Sequence, residues 1–444
     1  MEEARQPLEV YFDKYPDIPL EVIVKEDLLR LGLKFTEAAM EAARGCRLKS
    51  YFLFSYDRIS HDEMEQDEGS RVPEDIDFFG GPYGLKRTVV RVSIGANTPY
   101  TIDANPEGEI TLYQDDQPLA RVEYPSIPEY YAEEFEDGTS FGQMIPLLFG
   151  RQAFATIHRF CALWGANEEC KFCDINANLR DLKKKHKDKP SDHVVFDAVK
   201  DPEKVATVME AMTRTMFIEG RESLRNRMVC LIMTAGTIKT TLKGMTPNQF
   251  HLSYLNAIRN RIGGRTPLVL IVEPGSREDM IRLHEAGLTS FNPNYEVWDA
   301  KMFKVLCPGK EKYMGREEWI KRTIASVDIF GEGNVSPNYV AGVEMAQPWG
   351  FKDVDQAVAS LAEGLDFFMS HGVVPHPDTW CIEPRSALGG HPALPLDFFI
   401  KADKAWYDTW LKYDLPPNVG WGPIGNGRGV YGNSAFIDMR EGRH

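Results

Sequence analysis

The chain is 444 residues long and 43% hydrophobic, enough to bury a large core in two or three domains or in one barrel with attachments. Its 51 Lys and Arg stand against 66 Asp and Glu, and the net charge of -15 excludes general polyanion binding through a broad basic face, so no nucleic-acid partner is expected. The start, Met1-Glu2-Glu3-Ala4-Arg5, has no apolar h-region and no apolar run of about 18 residues occurs, so no membrane partner is expected and the chain reads as cytoplasmic.

In chain order, residues 17–45 read as a helix, opened by Ile18-Pro19-Leu20-Glu21 and closed by Gly45. An acidic loop from Asp62 to Asp77 follows, with Gly69 and Pro73 inside it. Between Arg87 and Tyr124, short alternating runs such as Thr88-Val89-Val90-Arg91-Val92 and Ile110-Thr111-Leu112-Tyr113 predict a small antiparallel sheet. Beyond residue 150, strand-like runs at Ala153–Phe160, Met228–Thr234, Leu268–Glu273, Thr289–Asn292, Asn338–Val343 and Thr379–Glu383 alternate with helices near 200–217, 247–261, 277–287, 316–329, 353–370 and 395–412. Strand–helix units in series imply an α/β fold with a parallel sheet and right-handed crossovers. Chemistry in such sheets gathers at the C-terminal strand ends.

Of the seven cysteines, Cys46, Cys230, Cys307 and Cys381 are scattered, which is not the pattern of a disulfide framework. The other three, Cys161, Cys170 and Cys173, share one loop directly after the first strand of the alternating region. Three thiolates suit a 4Fe-4S cluster that leaves one iron open to a chelating ligand. With His158 as a fourth donor they would instead make a Cys3His zinc site.

The run Cys170-Lys171-Phe172-Cys173, standing after the first strand of a repeating β/α unit, resembles the cluster motif of the radical S-adenosylmethionine (SAM) superfamily. Eight residues separate Cys161 from Cys170, where most members place three. The longer loop costs roughly 0.7 kcal/mol more to close, which iron–thiolate bonding outweighs, so the gap marks an unusual subfamily. Ser290-Phe291-Asn292-Pro293-Asn294-Tyr295-Glu296 on the fourth strand resembles the Asn-x-Asn-x-Glu stretch of the biotin synthase and lipoyl synthase branch. Leu231-Ile232-Met233-Thr234-Ala235-Gly236-Thr237 resembles the superfamily's Gly-Gly-Glu stretch at Gly236, and Tyr339-Val340-Ala341-Gly342-Val343-Glu344 resembles a Gly-x-Gly-Glu ending.

The resemblance implies a partial (β/α)6 TIM-type barrel over 151–412, preceded by an N-terminal helical and small-sheet extension over 1–150 and followed by a Gly-rich tail over 413–444. It implies Cys161, Cys170 and Cys173 as cluster ligands. SAM contacts are implied at Phe172, at Thr234, Ala235, Gly236 and Thr237, at Asn292, Asn294 and Glu296, and at Val343 and Glu344. The implied activity is reductive cleavage of SAM to a 5'-deoxyadenosyl radical that takes hydrogen from a substrate. Sulfur insertion is disfavoured, because no second set of cluster cysteines is present. With no peptide-binding cluster extension and no basic patch for nucleic acid, a small-molecule substrate is expected. A non-catalytic zinc or iron–sulfur scaffold is the alternative.

Gly420-Trp421-Gly422-Pro423-Ile424-Gly425 spells a dinucleotide fingerprint, but Pro423 interrupts its turn and 19 residues remain after Gly425, too few for the helix and second strand it needs. His371, His376 and Cys381 read as loop and strand packing. The basic run from Arg180 to Lys189, seven residues beyond Cys173, is expected to steer an acidic flavodoxin or ferredoxin to the cluster.

Overall fold

The computed structural model describes residues 6–49, 72–148, 152–164, 167–177, 180, 199–216, 230–264, 266–418, 435–436 and 439. Most of the acidic loop, the basic run beyond Arg180, and Gly420 to Gly425 lie outside them.

The N-terminal part runs α1 (Leu8–Lys14), α2 (Leu20–Leu31), β1 (Lys34–Phe35), α3 (Glu37–Ala42), β2 (Asp75–Gly80), β3 (Leu85–Arg91), β4 (Tyr100–Ala104), β5 (Ile110–Gln114) and β6 (Gln117–Glu123). One sheet in the order β1-β4-β5-β6-β2-β3 results, antiparallel except where β1 meets β4. The single helix expected over 17–45 is therefore two helices with a strand between them. The break lies at Gly32, whose φ of 76° is left-handed and where a Cβ would stand 2.7 Å from the Ser93 carbonyl oxygen. Leu33 N–H donates to that same oxygen (2.7 Å), so a sheet contact replaces the next helical turn. The acidic loop also ends earlier than expected. Asp75 already belongs to β2, where it is buried and accepts a 2.5 Å bond from Arg47.

The second part comprises β7 (Leu147–Leu148), β8 (Gln152–His158), α4 (Pro202–Met216), β9 (Cys230–Ala235), α5 (Pro247–Ile262), β10 (Leu268–Ile271), α6 (Arg277–Glu285) and β11 (Ser290–Asn292). After these come α7 (Ala300–Leu306), α8 (Pro308–Tyr313), α9 (Arg316–Ala325), β12 (Asn338–Ala341), α10 (Val354–Met369), β13 (His376–Thr379) and α11 (Leu396–Tyr413). Strands β8 to β11 are parallel neighbours in chain order, with β7 antiparallel on the outer edge. Strands β12 and β13 form a separate parallel pair, and parallel bridges from Phe291 to Val335 and from Glu296 to Tyr339 join that pair to the β11 side. The fold is α/β with parallel sheets. Every residue of β8 is buried, as expected of a strand covered on both faces. Helix starts are set locally: Thr246 and Gln249 form a capping box with Pro247 at the first turn of α5, and Asp353 caps α10.

The sixth strand lies upstream of its expected position, at His376–Thr379 rather than Thr379–Glu383. Pro377 suggests loop, yet β13 pairs with β12 through His376 to Thr379, and the apolar run Trp380-Cys381-Ile382 that looked like strand is a buried segment leaving it.

Two apolar cores are present. One runs from Tyr130 to Leu415 and fills the parallel unit, and the other gathers α1, α2 and the antiparallel sheet. Helix α11 serves both: Phe399 and Trp406 enter the first core, Leu396 and Ile400 the second. Among the described residues, no helix is long and apolar enough to cross a membrane.

Candidate active site at the cysteine loop

The C-terminal ends of the parallel strands open into one cavity. Cys161, Cys170, Phe172 and Cys173 enter it from the loop after β8, Thr234, Ala235, Gly236 and Thr237 from β9, and Glu273 from the end of β10. Asn294 and Glu296 follow β11, Asn338 and Val340 lie on β12, and Asp378, Thr379, Trp380, Cys381 and Glu383 form the β13 wall. Of the residues singled out in the sequence, Asn292, Val343 and Glu344 are not among those lining it. Asn292 and Val343 are buried. Glu344 is wholly buried, accepts the Gly342 N–H at 2.8 Å, and is pushed by burial up to about 7.

The cysteine loop stacks directly on the end of β9. Asn176 brackets Cys161, its Oδ1 accepting the Cys161 N–H (2.9 Å) and its Nδ2 donating to the Cys161 carbonyl (3.0 Å). Ala162 N–H donates to the Thr237 carbonyl at 2.9 Å. A Cβ on Gly236 would stand 2.2 Å from the Phe160 carbonyl oxygen and 2.6 Å from the Cys161 Cα. Glycine is required there because two backbones touch, a reason that has nothing to do with turn chemistry.

Cys161, Cys170 and Cys173 are half-buried and close enough to act on one another. Burial, then the neighbouring Cys170, pushes the Cys161 thiol up, and burial with Cys170 and Asp174 pushes Cys173 well up. Metal binding would have to displace those protons. Among the described residues no three His, Cys, Asp or Glu side chains converge as they would on a single metal ion. The cysteines of a 4Fe-4S cluster each take a different iron, so convergence on one point is not required of them. His158, the fourth donor of the zinc alternative, is buried within β8 and lowered by burial to about 4; it is not among the residues lining the cavity.

The donor set also suits a polar organic ligand. Among the described residues, Glu273 Oε2, Asn294 Oδ1 and Asn338 Oδ1 are buried without hydrogen-bond partners, and all three residues line the cavity. Buried acceptors left in this state are costly, so donors from a bound molecule would satisfy them. Burial raises the Glu273 carboxyl to about 7, against the opposing hydrogen bonds of its own backbone and Thr237. Trp380 Nε1, a donor on the β13 wall, is likewise buried without a partner.

Several of these groups carried no sequence signal. Lys310 on α8 is buried, donates to Glu296 (2.5 Å) and to the Asn294 carbonyl (2.8 Å), and lies 4.6 Å from the centre of the Trp319 ring. Burial opposes its charge, but Glu296, Cys170 and Cys307 together outweigh that and hold its pKa above the ordinary value. Cys381 was read as packing, yet it and Glu383 line the cavity; the rule that chemistry follows strand ends would have found them had the strand been placed at His376–Thr379. His376 does pack, against Ser336 Oγ at 3.1 Å.

No protein-family model matches the chain. A curated protein, bacteriochlorophyllide c C-7(1)-hydroxylase of Chlorobaculum limnaeum, is 27% identical over 148 residues, which is 32% of this chain and 34% of the relative. The chain thus spans about a third of the length of the curated relative it matches. Among solved structures, methylornithine synthase is similar with a TM-score of 0.38 and 11% identity, covering 63% of this chain and 72% of that one.

Proposed function

We propose that the chain is a radical SAM enzyme acting on a small molecule, built on an open barrel of six parallel strands. The observation that carries this reading is that three cysteines of one loop share a cavity with Asn294 and Glu296 and with three buried acceptors that have no partner among the described residues. The match to a hydroxylase supports an enzyme, and the bacteriochlorophyllide in its name supports a small-molecule substrate.

When bound, a 4Fe-4S cluster with SAM on its open iron supplies the electron that splits SAM and yields a 5'-deoxyadenosyl radical, able to take hydrogen from an unactivated carbon. Cys161, Cys170 and Cys173 would hold the cluster. Asn294, Asn338 and Glu273 would accept from hydroxyl and amino groups of SAM or substrate. Lys310 fixes Glu296 and the Asn294 carbonyl, so that these acceptors need not reorganise when ligand arrives. Trp319, Trp380, Ile271 and Val272 line the same space with apolar surface that excludes water from it.

Anaerobic reconstitution tests the proposal. We expect about four irons and four sulfides per chain, 5'-deoxyadenosine formed from SAM on reduction, and none from Cys170→Ala. One zinc per chain with no iron uptake would overturn it in favour of a scaffold. For the electron donor we propose a flavodoxin or ferredoxin drawn by the basic run. Exchanging Lys183, Lys184, Lys185 and Lys187 for Glu should slow flavodoxin-driven but not dithionite-driven SAM cleavage, and equal rates across salt would remove that role.

A further inference from the structure

The segment between Cys161 and Cys170 is long for a cluster motif, yet it is fastened at points on three different walls of the cavity. At its end, Lys171 N–H donates to the Leu306 carbonyl of α7 (2.9 Å), and Leu388 N–H, beyond β13, donates to the Lys171 carbonyl (3.0 Å). A further fastening lies at Glu168, two residues before Cys170. One carboxylate oxygen accepts from Lys239 of the loop after β9 (2.9 Å) and the other from Lys312 of α8. Its carbonyl accepts the Gly309 N–H at 2.9 Å. That contact demands glycine, since a Cβ at position 309 would stand 2.3 Å from the Glu168 oxygen. The Glu168 side chain is 18% exposed, whereas Lys312 is 74% exposed, so the carboxylate is the fixed member and the lysines reach to it.

We propose that Glu168 is a positioning residue for the iron–sulfur centre: by tying Lys239 and Lys312 to one carboxylate, it holds the long segment so that Cys161 and Cys170 keep a cluster-binding separation. This rests on the cluster reading above. The two lysines come from the same loop as Thr237 and the same helix as Lys310, so the clamp also couples the cysteine loop to two walls that line the cavity. A shorter motif has no need of such a tie. Here the extra chain would otherwise sample many conformations when the cluster is absent, and its ordering would fall on the cluster itself.

The test uses the full chain, reconstituted anaerobically, as wild type, Glu168→Gln, the double variant Lys239→Met with Lys312→Met, and a distant control, Asp366→Asn, which removes a surface ion pair with Lys412. The readouts are the rate of iron release to a chelator and the electron paramagnetic resonance spectrum of the reduced cluster. Groups that orient metal ligands typically change metal retention about tenfold or more. Glu168→Gln should therefore release iron about tenfold faster and show a broadened spectrum, while Asp366→Asn matches wild type. The lysine double variant should fall with Glu168→Gln, and combining all three changes should add nothing. Added salt should speed release from wild type but not from Glu168→Gln. Equal release rates and spectra for wild type and Glu168→Gln would overturn the clamp while leaving the cluster reading in place. A wild-type chain that takes up no iron would overturn both. If Glu168→Gln folds poorly, Lys239→Met alone, which leaves the Glu168 backbone and Lys312 contacts, should still release iron faster than the control, and a rate equal to the control would count against the clamp.

Discussion

The cavity's two opposite walls are held in different ways. The cysteine side is fastened by its own unit: Asn176 brackets Cys161, Gly236 admits the close approach of Phe160, and Lys239 of the loop after β9 with Gly309 and Lys312 of α8 grips Glu168. The β13 side is gripped from outside by the antiparallel sheet and α2. Arg91 of β3 donates to Asp378 (2.7 Å) and to the Thr379 carbonyl (3.2 Å), Glu26 of α2 accepts from the Thr379 hydroxyl (3.1 and 3.0 Å), and Ser93 lies 3.6 Å from Cys381. None of the described N-terminal residues lines the cavity, and the sheet touches its wall through β13. The wall bearing the cysteines is thus held from within the parallel unit, whereas the β13 wall also answers to an attached module. Change in the sheet can reshape one wall and leave the other alone.

Arg91 offers the largest break in that comparison. Its side chain is 1% exposed and faces a carboxylate that is 9% exposed. Arg91→Met leaves Asp378 buried without its cation, and breaking such a pair costs about 3–5 kcal/mol. Urea unfolding should show the loss, and Arg91→Met with Asp378→Leu should recover much of it. Iron content per folded chain should stay at the wild-type level, because the cysteine wall does not lean on Arg91. A parallel fall in iron would show that the two walls are one unit.

Gly236→Ala strikes the other wall. The added Cβ meets the Phe160 carbonyl and the Cys161 Cα, neither of which can swing aside as a side-chain tip could. Overpacking of this kind costs about 1–3 kcal/mol. Here iron retention should fall along with stability, the reverse of the expectation for Arg91→Met. Wild-type iron retention in Gly236→Ala would mean that the cysteine loop moves without consequence.

How far the sequence foretold these walls depends on how local each signal is. The strands from β8 to β11 are apolar runs such as Leu268–Ile271, and periodicity locates them to within a few residues. The cysteines announce themselves by clustering. The break of the long N-terminal helix at Gly32 needed knowledge of Ser93, which lies just past β3 and far along the chain. Arg91 and Asp378 are 287 positions apart, and Lys310 is one of two lysines on a short helix, so no spacing rule links either pair member or Lys310 to the cavity. Ion pairs across the fold leave no periodic trace, while strands and ligand loops do.

The smallest expected effect lies at the seam between the two parts, where pH separates them. Glu26 of α2 meets Asp403 of α11 in the interior; burial, opposed by hydrogen bonds from Asp403 and Thr379 and by the charges of Lys25 and Arg91, leaves Glu26 at about 7. Burial and Glu26 itself push Asp403 well up. For both acids the folded state prefers the proton, and the contribution of Glu26 to stability is complete below its ordinary pKa of about 4.5 and is lost as pH rises through about 7. The parallel unit carries the opposite sign. His158, His251 and His376 are lowered by burial to about 4, 3 and 3, with His158 also lowering His251, so their contribution is present above about 6.5 and is lost as pH falls. Urea midpoints from pH 4.5 to 8 should therefore trace a maximum in wild type. In Glu26→Gln, which keeps a neutral side chain of the same shape, the decline between pH 5 and 7.5 should flatten while the acid limb stays unchanged. Parallel profiles for the two proteins would show that the Glu26 carboxyl is ionised in the folded chain at neutral pH, and that the seam is held by charge attraction to Lys25 and Arg91 instead of a shared proton.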